Sequence, residues 1–206
     1  MYKTIKENST AEIVEKKSKF IANVFYIESQ EEANKCIEEI RKKYFDARHN
    51  CFAYSVLAEE GIVNRFSDDG EPSGTAGSPM LNILNSNNIT NTLVVVTRYF
   101  GGILLGTGGL VRAYSDAAKK AIDSIELVDI EKGKEVLIEI SYQDVEKLKY
   151  YLNKNSISIR DTIYKENVEV YVDIENEKFD ELTSNSRELN FQINRIEVIK
   201  EKVVRI

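Results

Sequence analysis

The amino-acid sequence predicts an α+β protein of two domains. In the first half, segments that alternate every second residue are mixed with segments that carry apolar residues at helical spacing. The second half has the order strand, helix, strand, strand, helix, strand, which is the ferredoxin-like arrangement. A Glu-Lys-Gly stretch at 131–133 separates the two patterns and is expected to be a hinge. We therefore divide the chain into an N-terminal domain of residues 1–130 and a ferredoxin-like C-terminal domain of residues 131–206.

The elements of the first domain follow from local patterns. Ser29 and Glu32 form a capping box that opens a helix, and Ser78 followed by Pro79 is typical of the start of a short one. Leu93–Thr97 is apolar on both faces, which places it in the centre of a sheet. The other elements are strands at Thr10–Glu15, Phe20–Ile27, Cys51–Leu57 and Ile62–Phe66, and a long helix with the apolar face Leu110, Ala113, Tyr114, Ala117, Ala118 and Ile122.

The elements of the second domain are separated by short polar turns. A Lys-Glu-Asn stretch at 165–167 joins two alternating segments and indicates a hairpin. The predicted strands are Glu135–Ser141, Ile157–Tyr164, Val168–Ile174 and Phe191–Val204, and the predicted helices are Tyr142–Asn153 and Lys178–Leu189.

Composition restricts the class of protein. The net charge of −6 argues against sequence-blind binding of nucleic acid, which requires an excess of Lys and Arg. The apolar runs are far shorter than the ~20 residues that a bilayer requires. The N-terminal stretch MYKTIKENSTAEIVEKK lacks the apolar core of a secretory signal. Two cysteines make no disulfide scaffold. We therefore expect a cytoplasmic protein without membrane contact.

A glycine-rich segment lies between the predicted central strand and the long helix. We call residues Phe100–Gly109 the glycine turn. Backbone N–H groups at the start of a helix favour an anion, and Arg98 and Arg112 flank this one. The segment fits neither the Walker nor the dinucleotide-binding pattern, so a tight turn without a ligand remains the alternative. Its five glycines, half of the chain's ten, are Gly101, Gly102, Gly106, Gly108 and Gly109.

A second unusual segment, SDDGEPSGTAGSP, covers Ser67–Pro79, and we call it the acidic loop. Asp68, Asp69 and Glu71 are clustered as they would be for a divalent cation or for acid–base chemistry. A solvated turn is the simpler interpretation, and we expect no metal. Ser73 does not fit the nucleophile elbow, because Gly70 precedes it by three residues instead of two.

His49 is the only histidine, and Cys51 follows it at strand spacing, so the two side chains share a face. A Cys–His pair can supply a nucleophile when the two groups touch and an oxyanion hole is present. Neighbours on one strand usually point outward in parallel, which favours a structural role for both residues.

Four blocks of this sequence resemble the YigZ/IMPACT family. They are KSKFIA (17–22), ARHNCFAY (47–54), RFSDDGEPSGTAGSPML (65–81) and VVVTRYFGGILLGTGGLVRAYSDAA (94–118). Many relatives have a second histidine in the block at 47–54, where this chain has Asn50. The C-terminal half matches the small domain of bacterial members in pattern and length.

The resemblance implies a fold and a biological setting. It implies an N-terminal two-layer α/β domain with a left-handed βαβ crossover, similar to domain IV of elongation factor G. It also implies a ferredoxin-like C-terminal domain, similar to domain V of that factor. Eukaryotic members regulate translation by competing for the coactivator of a starvation-sensing kinase, a partner that is not expected for a bacterial chain.

These observations predict a non-catalytic, translation-associated regulatory protein that contacts the ribosome, RNA or a translation factor through its glycine-rich segments. The alternative is an enzyme or sensor of a nucleotide or other phosphorylated small molecule, with Asp68 or Asp69 as base, and a hydrolase using His49 and Cys51 comes third. We expect no cofactor and assign no catalytic residue. The candidate contact residues are Arg65, Asp68, Asp69, Glu71, Ser73, Gly74, Thr75, Arg98, Gly101, Gly102, Gly106, Thr107, Gly108, Gly109 and Arg112.

Overall fold

The computed structural model describes residues 2–58, 60–184 and 189–205. The chain divides into two compact units, Met1–Asp129 and Ile130–Ile206. Each unit contains both helices and strands and has its own hydrophobic core. The predicted two-domain α+β fold class is therefore confirmed.

The first unit is built around a five-stranded sheet with the order β2-β3-β6-β4-β5. β6 is central, as its two apolar faces predict, and it pairs antiparallel with both β3 and β4. β3 and β4 are therefore parallel to each other and are joined by a helical crossover through α1. The elements are β1 (Tyr2–Ile5), β2 (Ser9–Glu15), β3 (Ser18–Tyr26), α1 (Gln30–Lys43), β4 (His49–Ala58), β5 (Gly61–Ser67), α2 (Gly77–Ser86), β6 (Thr92–Tyr99) and α3 (Gly106–Ile122).

Helices cover both faces of this sheet. Val94 and Val96 of β6 pack in the core beneath α2 and α3, whereas Leu93 and Val95 pack in the core beneath α1. The unit therefore has three layers instead of the expected two, because β6 is apolar on both sides and each side needs a cover. The face under α2 and α3 carries the candidate site.

The start of α1 shows a variation on the predicted capping box. The Ser29 hydroxyl accepts the N–H of Glu32 at 3.1 Å, as a capping box requires. The Glu32 carboxylate, however, accepts the N–H of Glu28 at 2.7 Å, one residue before the cap. Both bonds satisfy backbone donors that lie before or within the first turn.

The second unit has the ferredoxin-like topology that the sequence predicts. Its strands have the order β10-β7-β9-β8, and all neighbouring pairs are antiparallel. The end of the helix expected at 178–189 lies partly outside the described residues, since α5 is described to Ser184. The elements are β7 (Leu127–Ile140), which begins in the first unit, α4 (Val145–Lys154), β8 (Ser158–Tyr164), β9 (Val168–Glu175), α5 (Asn176–Ser184) and β10 (Ile193–Arg205).

The hinge expected at 131–133 is wrong. These residues lie within β7 and pair with β10, where Gly133 is opposite Lys202. A Cβ on Gly133 would lie 2.4 Å from the carbonyl oxygen of Ile174, so glycine allows the neighbouring strand to approach closely. The glycine that indicated a turn therefore serves strand packing.

No helix in the described part of the chain is long and apolar enough to cross a membrane.

Candidate functional site

The carboxylate of Asp68 occupies the start of α2. Its Oδ1 accepts the backbone N–H groups of Ala76 at 2.9 Å and Gly77 at 2.8 Å, and its Oδ2 accepts that of Gly74 at 2.8 Å. Burial by itself raises the pKa of Asp68, but the three backbone donors outweigh it and lower the pKa below the ordinary value of 3.8. The acidic loop thus supplies its own anion to the helix N-terminus that follows it.

The position of Asp68 explains why α2 begins earlier than expected. The helix starts at Gly77 with Ala76 as its N-cap residue, and the methyl group of Ala76 carries no acceptor. The expected cap Ser78 and first residue Pro79 both lie inside the helix. A local capping side chain is unnecessary, because Asp68 satisfies the first donors from a distant position in sequence.

A buried ion pair links the acidic loop to the central strand. The Arg98 Nη1 atom lies 2.6 Å from Glu71 Oε1, and the side chains of Arg98 and Glu71 are 7% and 3% exposed. The same Glu71 oxygen accepts the hydroxyl of Tyr114 at 2.8 Å. The Arg98 guanidinium lies 5.5 Å from the ring centre of Phe20 and 5.6 Å from that of Phe100. Arg98 is therefore a buried, paired side chain that stabilises the fold, and not an exposed cation.

His49 and Cys51 of β4 contact the backbone of the acidic loop. The His49 Nδ1 atom lies 2.9 Å from the carbonyl oxygen of Asp69, and the Cys51 thiol donates to the carbonyl of Asp68 at 2.9 Å. The backbone N–H of Asn50 donates to Asp69 Oδ2 at 2.7 Å. His49, Asn50 and Cys51 thus each bond to the acidic loop, and no hydrogen bond among the described residues joins His49 to Cys51 as a catalytic pair requires.

Burial opposes ionisation of the two polar groups beneath the loop. It raises the pKa of the Cys51 thiol to about 12, despite a hydrogen bond with Tyr114 that acts in the other direction. Burial likewise raises the pKa of the Tyr114 hydroxyl, and the neighbouring Cys51 and Glu71 add to the effect. At neutral pH both groups are protonated, so neither is an activated nucleophile.

The three acidic side chains of the loop point to different places. Asp68 binds the start of α2, Asp69 accepts from Asn50 and lies 3.3 Å from Arg41, and Glu71 is paired with Arg98. Within the described residues, no group of three or more His, Cys, Asp or Glu side chains is arranged to hold a metal ion. Each carboxylate already has donors of its own.

The glycine turn packs against the β2–β3 hairpin at its first glycine. The Gly101 N–H donates to the Ser18 hydroxyl at 3.1 Å, and a Cβ on Gly101 would lie 2.0 Å from the carbonyl carbon of Lys17. Gly102 and Gly106 have φ angles of +86° and +72°, which favour glycine. At three of the five positions, the structure of the turn therefore requires glycine.

The rest of the glycine turn is open to solvent. Gly106, Thr107 and Gly108 are exposed in the first turn of α3, and the N-cap residue Leu105 has no side-chain acceptor. Gly108 has an ordinary φ, and a Cβ there would have no atom within 4 Å. Arg112 is exposed one turn further, and a helical side chain leans toward the N-terminus, over Gly108.

The structure connects the two segments but leaves Arg65 apart from them. Glu71 of the acidic loop is bonded both to Arg98 before the glycine turn and to Tyr114 in α3. Arg65 lies opposite Tyr54, which packs in the core beneath α1, so it is on the other face of the sheet.

The remaining loop residues differ in exposure. Ser73 is exposed, whereas Thr75 is buried and donates to the carbonyl of Pro72 at 2.6 Å. Gly74 has a φ of +76° and lines a groove between α2 and α3 together with Val111. The acidic loop therefore borders the same groove as Val111 of α3, the helix that follows the glycine turn.

Sequence reasoning assigned Tyr114 to an apolar helix face and missed its hydroxyl bond to Glu71. It also missed Phe20, whose ring meets Tyr114 edge-on at 5.1 Å and lies against Arg98. A charged Arg98 at the end of an otherwise apolar strand was the available signal, since a cation in such a position needs a buried partner.

Comparisons with known proteins match both units. Residues 16–122 match the Impact N-terminal domain, and residues 138–185 match a domain of unknown function (DUF1949). A crystal structure of a hypothetical protein is 30% identical, with a TM-score of 0.64, and the alignment covers 95% of this chain and 97% of that one.

Two of the named relatives come from bacteria. The IMPACT family member YvyE of Bacillus subtilis is 39% identical over 168 residues, which cover 82% of this chain and 77% of the relative. The IMPACT family member YigZ of Escherichia coli is 45% identical over 108 residues, which cover 52% of this chain and 53% of the relative. The resemblance seen in the four sequence blocks is confirmed, and the chain belongs to the IMPACT family.

Proposed function

We propose that this chain is a non-catalytic regulatory protein of translation that binds the ribosome, RNA or a translation factor through its glycine-rich segments. The observation that carries the proposal is that the acidic loop is bonded within the fold, whereas the glycine turn is exposed. In the acidic loop, Asp68 binds the start of α2, and Glu71 binds Arg98 and Tyr114, which precede and follow the glycine turn. The glycine turn itself is exposed at the start of α3. Rigid support beneath an exposed loop is typical of binding sites.

Family membership supports the translation setting. The resemblance implies that eukaryotic members regulate translation, and the chain shares the blocks that carry that resemblance. The kinase coactivator of eukaryotes is not carried over to this chain. The likeness of the two units to domains IV and V of elongation factor G stays a prediction that is consistent with this setting.

The groups that an enzyme would use are engaged in structural bonds. Asp68 and Asp69, the candidate bases, accept backbone N–H groups, and Arg98, the candidate phosphate ligand, is paired with Glu71. Cys51 is buried and protonated at neutral pH. These contacts favour binding over catalysis and over a phosphorylated small-molecule ligand.

The test is co-sedimentation of the full chain with purified bacterial ribosomes and separated subunits across a potassium chloride series. We expect retention at low salt and loss of retention when the exposed start of α3 is blocked by Thr107→Trp. Val14→Trp is the matched control, since Val14 is exposed on the face of the sheet opposite to that covered by α2 and α3. Absence of retention at every salt concentration would contradict the proposal.

A further inference from the structure

The surface between the acidic loop and Arg112 is almost free of charge. From Pro72 to Val111 the only charged residue is Arg98, although 30% of the whole chain is charged. Arg98 is buried and paired with Glu71, so it contributes no charge to the surface. The outer faces of α2 and the glycine turn therefore present only apolar and neutral polar groups.

The glycine turn adds exposed apolar side chains to this surface. Leu104 is 83% exposed and Phe100 is 52% exposed, with Ile103 and Val111 also exposed. Gly108 and Val111 are three residues apart in the first turns of α3, which places them on one side of that helix, and Leu104 lies in the segment directly before it. Large apolar side chains grouped on the surface of a soluble unit mark an interaction site.

The apolar side chains continue into the groove between α2 and α3. The groove has a volume of about 530 Å³, and Val111 and Ser115 of α3 line it opposite Ser78, Asn82 and Ser86 of α2. Small and neutral side chains form both walls. A partner that lies on the glycine turn can therefore place a side chain between the helices without meeting a charge.

Gly108 gives a further indication of a close contact. A glycine inside a helix lowers its stability, and neither the φ angle nor the neighbours of Gly108 require one. A missing side chain at an exposed helix position allows another molecule to approach the backbone. Gly108 lies on the same side of α3 as Val111, which is also exposed.

We propose that this face, defined by Phe100, Ile103, Leu104, Gly108 and Val111, docks a protein segment with apolar side chains at its centre and acidic residues at its edge. The inference rests on the proposed function and assigns the chemical class of its partner. Arg112 and Lys17 lie at the two ends of the face, are exposed, and form no ion pair within the described residues. They complement an acidic edge, as cations at an interface rim do.

A phosphate backbone does not fit this face. Nucleic acid and anionic lipid are bound through several Lys and Arg side chains, and the interior of this face has none. Phe100 is the only aromatic side chain among the residues that define this face, so the face lacks the series of rings on which successive bases stack. Cores of protein–protein interfaces, in contrast, are depleted of charged residues.

The first experiment compares intact bacterial ribosomes with protein-free ribosomal RNA extracted from them, between 0.1 and 0.5 M potassium chloride. We expect the full chain to bind ribosomes with an affinity that changes less than about threefold over this range, and not to bind the free RNA. Leu104→Asp and Val111→Asp should weaken binding by at least about tenfold, because each buries an unpaired charge. Val14→Asp is the control, since Val14 is exposed and alternates in β2 with Ile13, which packs in the core beneath α2 and α3, so Val14 lies on the other face of the sheet.

Two results would overturn the inference. One is binding of free RNA as tight as that of ribosomes, with a steep loss in salt. The other is wild-type affinity for Leu104→Asp and Val111→Asp.

A second readout keeps the inference testable if ribosomes do not bind and the proposed function fails. The variant Leu104→p-benzoylphenylalanine is irradiated in bacterial cells, and its adducts are treated with protease or nuclease. Adducts that protease removes and that Val111→Asp suppresses, while Val14→Asp does not, support a protein partner. Adducts with nucleic acid, adducts between two copies of this chain, or no adducts overturn it.

Discussion

The acidic loop and the glycine turn each contain several glycines and lead into a helix, yet the two helix starts differ in what they contact. In the acidic loop, Asp68 fills the start of α2 and Glu71 is buried against Arg98. In the glycine turn, the start of α3 is exposed and Leu104 projects into solvent. One glycine-rich helix start is thus bonded within the chain, and the other is open to solvent.

The difference shows that a glycine-rich helix start indicates an anion site only when the chain does not provide the anion itself. Asp68 precedes Ala76 and Gly77 by eight and nine residues and still reaches their N–H groups. The region before α3 contains no acidic residue that can do the same between Pro72 and Gly106. An acidic residue upstream of the helix is therefore the feature to look for.

The largest expected effect concerns the thiol beneath the acidic loop. With a pKa of about 12, only about one Cys51 in 10⁴ is a thiolate at pH 8. Iodoacetamide should therefore modify Cys36, which is partly exposed, at least about 100 times faster than Cys51 in the native protein. Peptide mass spectrometry over time measures both rates, and urea should make them similar. Equal rates in the native protein would show that the loop opens and would restore Cys51 as a candidate nucleophile.

Among substitutions in the acidic loop, loss of the buried Glu71 carboxylate should lower the unfolding free energy most. Glu71→Ala leaves Arg98 charged, buried and unpaired, which costs about 3–5 kcal/mol of unfolding free energy. The Arg98 Nε atom already has no hydrogen-bond partner among the described residues, so it offers no compensation. Urea unfolding measures the loss.

Glu38→Ala is the control for that substitution. Glu38 pairs with Arg41 on the surface, where a salt bridge contributes less than about 1 kcal/mol. Similar losses in both variants would mean that the Arg98–Glu71 pair is solvated and that Arg98 is available to a ligand.

Asp68→Asn should destabilise the protein by about 1–2 kcal/mol at pH 7, because it replaces charge-assisted bonds to three N–H groups by weaker ones. The folded-state pKa of Asp68 is lowered, so its contribution is fully present above the ordinary value of 3.8. It is lost as the pH falls through the lower folded-state pKa. The difference between wild type and Asp68→Asn should therefore shrink below about pH 4 in urea unfolding. A difference that is constant between pH 7 and pH 3 would contradict an ionised cap.

The sequence predicted the elements well where one local pattern was sufficient. The central position of β6 follows from its apolar faces, and the ferredoxin-like order follows from the alternation of periods in the second half. The start of α2 and the hinge at 131–133 were wrong because each depended on a distant residue. Asp68 caps α2 from the end of β5, and Gly133 makes room for β9.

The candidate site was only partly predictable for the same reason. Both glycine-rich segments were identified, but the partner of Arg98 was not, because Glu71 is 27 residues away along the chain. Arg65 and Arg98 looked equivalent in sequence, although they lie on opposite faces of the sheet. Residue type identifies groups that are able to bind an anion, while register and burial decide which of them are exposed.

The smallest expected effects are those of alanine substitutions at two glycines of the glycine turn, Gly102 and Gly108. Gly102 has a φ of +86°, so Gly102→Ala should lower the unfolding free energy by about 1 kcal/mol. Gly108 has an ordinary φ and open space around it, so Gly108→Ala should raise the unfolding free energy by about 0.5 kcal/mol. Thermal unfolding of the two variants gives shifts of opposite sign. If Gly108→Ala also weakens ribosome binding, its methyl group stabilises the free protein and obstructs the partner, which a purely structural glycine would not do. If Gly108→Ala destabilises the fold, the backbone at 108 is constrained and the case for a close contact there loses its support.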